Sequence, residues 1–134
     1  MFIKLDLRTN ERQELMVITD LVKSVISEKK LENGLCFLFC PHTTAGLTIN
    51  SYLDPATAKD LINEVDRLVP TRTDFVHVFD TPSDAAGHIK SSLVGGQLGL
   101  ILENGEFMLG SSQGIFFWEF DGPRNRQIYL KFIS

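Results

Sequence analysis

Apolar and polar residues largely alternate through Phe2-Ile3-Lys4-Leu5-Asp6-Leu7-Arg8, the period of two that a half-buried strand requires. Glu14 to Ile18 predicts a second strand. The period then changes: Leu21, Val22, Val25 and Ile26 share one helical face from about Thr19 or Asp20. Lys29 and Lys30 suit the C-terminal dipole of that helix, and Asn33-Gly34 stops it. Gly34 to Cys40 is an apolar run that reads as a buried strand leading into a Pro41-His42-Thr43-Thr44 turn. A second helix opens with Asp54 as N-cap and Pro55 in its first position, buries Leu61, Ile62, Val65, Leu68 and Val69, and closes at Pro70. Phe75 to Phe79 predicts a strand, Thr81 to Gly87 a loop, and His88 to Leu93 a short helical turn. Gln97–Glu103 and Glu106–Leu109 flank Asn104-Gly105, a strong hairpin signal. Ile115–Phe120 and Gln127–Ile133 predict a further hairpin about Asp121 to Asn125.

Many short strands with two helices inserted early predict an α+β fold, mostly antiparallel β, built as a sandwich or a partly closed, jelly-roll-like barrel. The 134 residues fit one domain, 1–134. Phe116, Phe117, Trp118 and Phe120 make one strand apolar on both faces. Its second face needs a cover, from the helices or from another subunit, and a homo-oligomer is the expectation.

Composition narrows the function classes. A net charge of −4 with scattered Lys and Arg argues against a nucleic-acid-binding face. No apolar run approaches the roughly 20 residues of a membrane span, and the opening Met1-Phe2-Ile3-Lys4 is unlike a signal peptide. The expectation is a cytoplasmic protein without nucleic-acid or membrane partners. Cys36 and Cys40 lie about 13 Å apart along one strand, at roughly 3.3 Å per residue, too far to bridge each other. They read as core residues, with Cys40 the one that could join a metal site.

The candidate chemistry centres on His42, His77 and His88, the only histidines. Three neutral imidazoles form the protein ligand set of an open catalytic zinc site, the divalent metal expected here. Three separate hydrogen-bonded histidines are the alternative, because no two have helical i, i+4 spacing. Beside His42, Thr43, Thr44 and Asn50 supply polar groups for a ligand or for a hydrogen-bonded turn. Lys90, Ser91 and Ser92 could present charge, hydroxyls and N–H groups to a phosphate, or cap a surface turn. Gln113 follows the small-residue stretch Gly110-Ser111-Ser112, and Arg124 or Arg126 could clamp phosphate bidentately. Asp60 and Glu64 share a helix face, with Glu64 a candidate general base and a solvated face the alternative.

In combination these segments resemble a known family. His42-Thr43-Thr44-Ala45-Gly46-Leu47-Thr48-Ile49-Asn50 followed by Asp54-Pro55 is similar to the first signature of the YjbQ-like proteins, also called the secondary thiamine-phosphate synthase family. His77, then His88-Ile89-Lys90-Ser91-Ser92-Leu93 and Gly95, resembles the second. Gly105, Gly110, Gln113-Gly114-Ile115 and Glu119 resemble the third. The loop Ser83 to Gly87 departs from the pattern, where members often carry Asn or Pro. The resemblance implies a compact, mostly β subunit with two helices, a homotrimer, and a polar cleft containing the histidines. It also implies a weak thiamine-phosphate synthase activity, joining a pyrimidine diphosphate to a thiazole phosphate with release of pyrophosphate. The expected site is a metal at His42, His77 and His88 with a small phosphorylated substrate. In it His42, Glu64 and His88 are catalytic, and Thr43, Thr44, Asn50, Lys90, Ser91, Ser92, Gln113 and Arg124 bind ligand. A metal- or metabolite-binding protein without catalysis, and a purely structural trimer, are the rival readings.

Overall fold

The computed structural model describes Met1–Ser134. Its elements are β1 (Phe2–Arg8), β2 (Glu14–Val17), α1 (Thr19–Glu28), β3 (Gly34–Phe39), β4 (Ala45–Ser51), α2 (Pro55–Leu68), α3 (Pro82–Val94), β5 (Gln97–Glu103), β6 (Glu106–Phe107), β7 (Gln113–Glu119) and β8 (Asn125–Ile133). Two antiparallel sheets result, one ordered β1-β8-β3-β5-β6 and one ordered β2-β7-β4. The fold is α+β, mostly antiparallel, with a curled half-barrel sheet. No helix is long and apolar enough to cross a membrane.

The layers follow from strand alternation. Cys36, Leu38, Leu100, Leu102, Ile128, Leu130 and Phe132 point inward from the large sheet, and Ala45, Leu47, Ile115 and Phe117 from the small one. Val22, Val25 and Ile26 of α1 complete this core. Asn104 and Gly105 take φ of 52° and 79°, the two positive values that a tight β5–β6 hairpin requires. Asp54 caps α2 by accepting from the Ala56 N–H at 2.9 Å, although no residue of α2 is fully buried.

Three expectations are corrected. There are three helices, because Thr81 to Gly87 is the first half of α3 and not a loop. Thr81 caps that helix by accepting from the Asp84 N–H, and Pro82 occupies its first turn. Gly87, which weakens a helix in isolation, is needed for packing: a Cβ there would lie 3.2 Å from the Thr44 side chain and 3.5 Å from that of Phe120. Second, Phe75 to Phe79 is not a strand. It has no ladder partner and crosses as irregular chain from α2 to α3, with Val76 99%, Val78 76% and Phe79 95% exposed. Third, β7 and β8 are not a hairpin: β7 pairs with β2 and β4, whereas β8 pairs with β1 and β3. The turn between them carries the chain from one sheet to the other. Of the two covers open to the doubly apolar β7, the helices or another subunit, its own chain supplies the first. Phe116, Trp118 and Phe120 lie beneath the helical layer and are at most 4% exposed. Exposed apolar residues remain on the outer face of the large sheet, Leu35, Ile101 and Ile133 among them.

Candidate functional site

Residues from two segments converge at the start of α3. Asp84 and His88 are one helical turn apart and so share a face, and His77 reaches them from the chain that precedes the helix. His77 Nε2 lies 2.8 Å and His88 Nε2 3.1 Å from the same Asp84 oxygen, Oδ2. Ligand atoms of all three lie within 4.8 Å of one another. The two rings meet edge to face at 5.1 Å. Asp84 is nearly buried, while the His77 and His88 side chains keep 45% and 38% exposure, so the cluster opens to solvent on one side.

The remaining nitrogen of His88 fixes how the cluster works. His88 Nδ1 is 3.2 Å from the Thr43 carbonyl oxygen, which can only accept, so Nδ1 carries a proton. Neutral His88 then aims the Nε2 lone pair at a carboxylate oxygen. Two lone pairs at that distance repel unless a proton or a metal cation lies between them. Burial pushes the Asp84 carboxyl up, but the bond from His77 and the charge and bond of His88 outweigh it and hold it below the ordinary range. Two imidazoles and one carboxylate, with one imidazole anchored through its far nitrogen to a carbonyl, are a donor set suited to a divalent transition metal. The residues present fit the expected metal with Asp84 as one of three ligands.

His42 lies outside that cluster. Continuing the β3–β8 register would set Pro41 opposite Gln127, and proline has no N–H to extend the ladder. The His42 ring takes the strand edge instead, its Nε2 accepting from the Gln127 N–H at 2.9 Å. Burial, then the nearby Arg126 charge, lowers its pKa and keeps the ring neutral. Of the three histidines expected to share a metal, the chain brings two together, and Asp84 stands where His42 was expected. His42 lines a separate open cavity of about 590 Å³ with Asp6, Arg8, Asn125 and Gln127.

Between the two regions lies a buried ionic network. Arg126 of β8 donates through Nε to Glu119 Oε1 at 2.8 Å and through Nη2 to Glu119 Oε2. Its Nη2 also reaches Thr44 Oγ1 at 2.9 Å, and the Thr9 hydroxyl donates to Glu119 Oε1 at 2.7 Å. The Phe120 and Asp121 N–H groups complete the carboxylate at 3.1 Å each. Every Glu119 lone pair is occupied, so the network joins the two sheets and leaves no acceptor for a substrate.

The other expected site residues are dispersed. Lys90 is 1% exposed, on the opposite side of α3 from His88, and its ammonium is bonded to Asp66 of α2. Ser91 donates to the Ala45 carbonyl at 2.8 Å, and Ser92 to the His88 carbonyl at 3.2 Å. Thr44 is buried in the Arg126 network, while Thr43 is exposed and offers its carbonyl to His88. Asn50 accepts from the Ser51 N–H, and Gln113 from the Gly110 N–H, each near an end of its strand. Glu64 is exposed and paired with Arg67, which lowers its pKa first through their hydrogen bond. Asp60, also on α2, is exposed. Cys40 is buried in the core and free. Arg124 directs Nε to the Asp121 carbonyl at 2.7 Å and Nη2 to its carboxylate at 2.9 Å, with 45% of its side chain exposed.

Sequence reasoning missed Asp84 as a ligand, although two signals mark it. Thr81-x-x-Asp84 is a capping pattern, and Asp84-x-x-x-His88 is the i, i+4 spacing that puts two donors on one helical face.

Comparison with known proteins agrees with this geometry in family and fold. The model of the family described as UPF0047 protein YjbQ-like matches residues 3–134. A UPF0047 protein of Methanocaldococcus jannaschii is 47% identical over 134 residues, covering 100% of this chain and 95% of that protein. UPF0047 protein YugU of Bacillus subtilis is 40% identical over 132 residues, 97% of each chain. A crystal structure of an uncharacterized conserved YjbQ/UPF0047 protein from Clostridium acetobutylicum superposes with TM-score 0.90 at 41% identity, covering 98% of this chain and 99% of that one. A hypothetical protein from Aeropyrum pernix gives TM-score 0.93 at 26% identity over 100% and 98%. The chain belongs to the YjbQ-like UPF0047 family.

Proposed function

Taking family membership as the premise, we propose that this chain is a small metal-assisted enzyme acting on a phosphorylated small molecule, assembled as a homotrimer. Thiamine-phosphate synthesis, the joining of a pyrimidine diphosphate to a thiazole phosphate, is the reaction proposed for it. One observation carries the proposal: His77 and His88 place nitrogens against one nearly buried oxygen of Asp84 while their rings stay half open. His77, Asp84 and His88 would hold the ion, and a divalent metal there supplies Lewis acidity toward a phosphoryl oxygen.

The protein groups have separable roles. The Thr43 carbonyl fixes the tautomer of His88, and the Thr81 cap fixes the backbone of Asp84. Arg124, held by Asp121, presents its partly exposed guanidinium to anionic substrate oxygens. Lys90 and Glu119 contribute by holding α3 and the sheet corner in place.

The test is release of pyrophosphate from the pyrimidine diphosphate and thiazole phosphate pair, with zinc supplied, by wild type and His88→Ala. Turnover that is lost in the variant supports the enzyme. Stoichiometric zinc binding with no turnover of this or any phosphorylated substrate favours a metal-binding protein instead.

A further inference from the structure

Gln113 and Gly114 belong to a stretch that the metal centre leaves unused, and they border a cavity elsewhere on the chain. It measures about 290 Å³, lies between the start of α1 and the chain joining β6 to β7, and shares no residue with the His77, Asp84 and His88 cluster. Gly114 lets Tyr52 into one wall, because a Cβ there would lie 2.9 Å from the Tyr52 Cβ. The Tyr52 N–H donates to the Ser112 carbonyl at 3.1 Å and holds the residue in place. Val17, Phe107 and Leu109 add apolar wall.

Three polar side chains line the cavity with bonding capacity to spare. Asp20 and Lys23 stand at i, i+3 on α1, a spacing at which opposite charges ordinarily pair on a helix surface. Here they do not pair with each other, and neither enters any ion pair of the chain. Gln113 accepts from the Gly110 N–H at 2.8 Å through Oε1, which leaves its NH2 group to donate.

We propose that this cavity binds a small zwitterion, an α-amino acid with an apolar side chain. Asp20 receives its ammonium, Lys23 and the Gln113 NH2 receive its carboxylate, and its side chain lies against Phe107 and the Tyr52 ring. Few convergent polar groups over apolar walls are the usual make-up of a small-molecule site. At roughly 30 Å³ per water there is room for about ten waters, the scale of leucine and too little for a nucleotide. A phosphate would set a second anion against Asp20, and a simple amine would leave Lys23 without a partner. Only a ligand carrying both charges answers both residues. The site is independent of the proposed metal chemistry.

The experiment titrates the full chain with L-leucine, followed by amide NMR. Leucine should shift the Gln113 side-chain amide and the start of α1. L-leucinamide and 4-methylpentanoate, which lack the carboxylate and the ammonium respectively, should each bind at least roughly tenfold more weakly, having lost a charged hydrogen bond. Asp20→Asn should weaken leucine by a similar factor and leave 4-methylpentanoate unchanged, whereas Lys23→Met should weaken both. Both residues are exposed, and circular dichroism checks that the variants are folded. No saturable shift of wild type at millimolar leucine overturns the proposal. So do shifts confined to other residues, leucinamide binding as tightly as leucine, or leucine affinity that neither substitution changes.

Discussion

His88 Nδ1 lies 3.2 Å from the Thr43 carbonyl oxygen, and that contact turns the other ring nitrogen onto Asp84. A main-chain group from the turn before β4 thereby sets the protonation pattern of a side chain on α3. Either a proton or a metal cation between the His88 nitrogen and the Asp84 oxygen satisfies the cluster, and the metal reading gives the first prediction.

Zinc affinity should fall as pH drops through the ordinary histidine range, about 6.5, because ligation requires neutral imidazoles. Asp84 contributes separately to folding. Its folded pKa is depressed, so its stabilisation is complete above the ordinary aspartate value of about 3.9 and is lost as pH falls through the lower folded value. Isothermal titration across this range checks the first effect, and urea unfolding without metal checks the second. Zinc affinity that does not change between neutral pH and pH of about 5 would contradict imidazole ligation.

The Glu119–Arg126 pair should be a principal stabilising element. Arg126→Ala leaves a carboxylate buried without its main partner and should cost about 3–5 kcal/mol, measured by urea unfolding. Burial pushes the Glu119 carboxyl up, but Arg126, Thr9 and the Asp121 N–H together hold it below the ordinary range. Its contribution should therefore be complete above the ordinary glutamate value, about 4.3, and be lost as pH falls from there through the lower folded value. A loss under about 1 kcal/mol would mean that the network is not what joins the sheets.

Lys90 and Asp66 should respond unequally to substitution. Asp66→Ala strands a buried ammonium and should cost about 3–5 kcal/mol. Lys90→Met fills the same space with apolar atoms and leaves Asp66 with Gln13 and solvent, so it should cost much less. Equal losses in urea unfolding would contradict this asymmetry.

Both thiols should be inert in the folded protein. Burial raises Cys36 and Cys40 to about 11 each, leaving little thiolate at neutral pH. A thiol reagent should label neither in native protein and both in denaturant; fast native labelling of either would show that the core strand opens readily.

Local periodicity made much of this fold legible. Asn104-Gly105 specified its hairpin, and Asp54-Pro55 specified the start of α2, because both signals act within a few residues. The β7–β8 relationship was not legible. A turn sequence announces that the chain reverses but not which strand it will pair with, and here partners over a hundred residues away decide: Phe2 to Arg8 pair with β8. The cluster was half legible. His77 and His88 were recognised by residue type, but Asp84 was hidden because Ser83-Asp84-Ala85-Ala86-Gly87 has the composition of a loop. Those small residues serve close approach of α3 to Thr44 and Phe120, a tertiary requirement that local propensity does not express. His42 misled for a related reason, since its use depends on Pro41 leaving the Gln127 edge unpaired.

The central claim, a metal centre at His77, Asp84 and His88, is tested most directly by zinc titration of metal-free wild type against Asp84→Asn. The wild type should bind one ion per chain, and the asparagine variant, which keeps the shape but loses the charge, should bind at least roughly 10–100-fold more weakly. Equal zinc affinity in the two proteins, or no binding by the wild type at neutral pH, would contradict it.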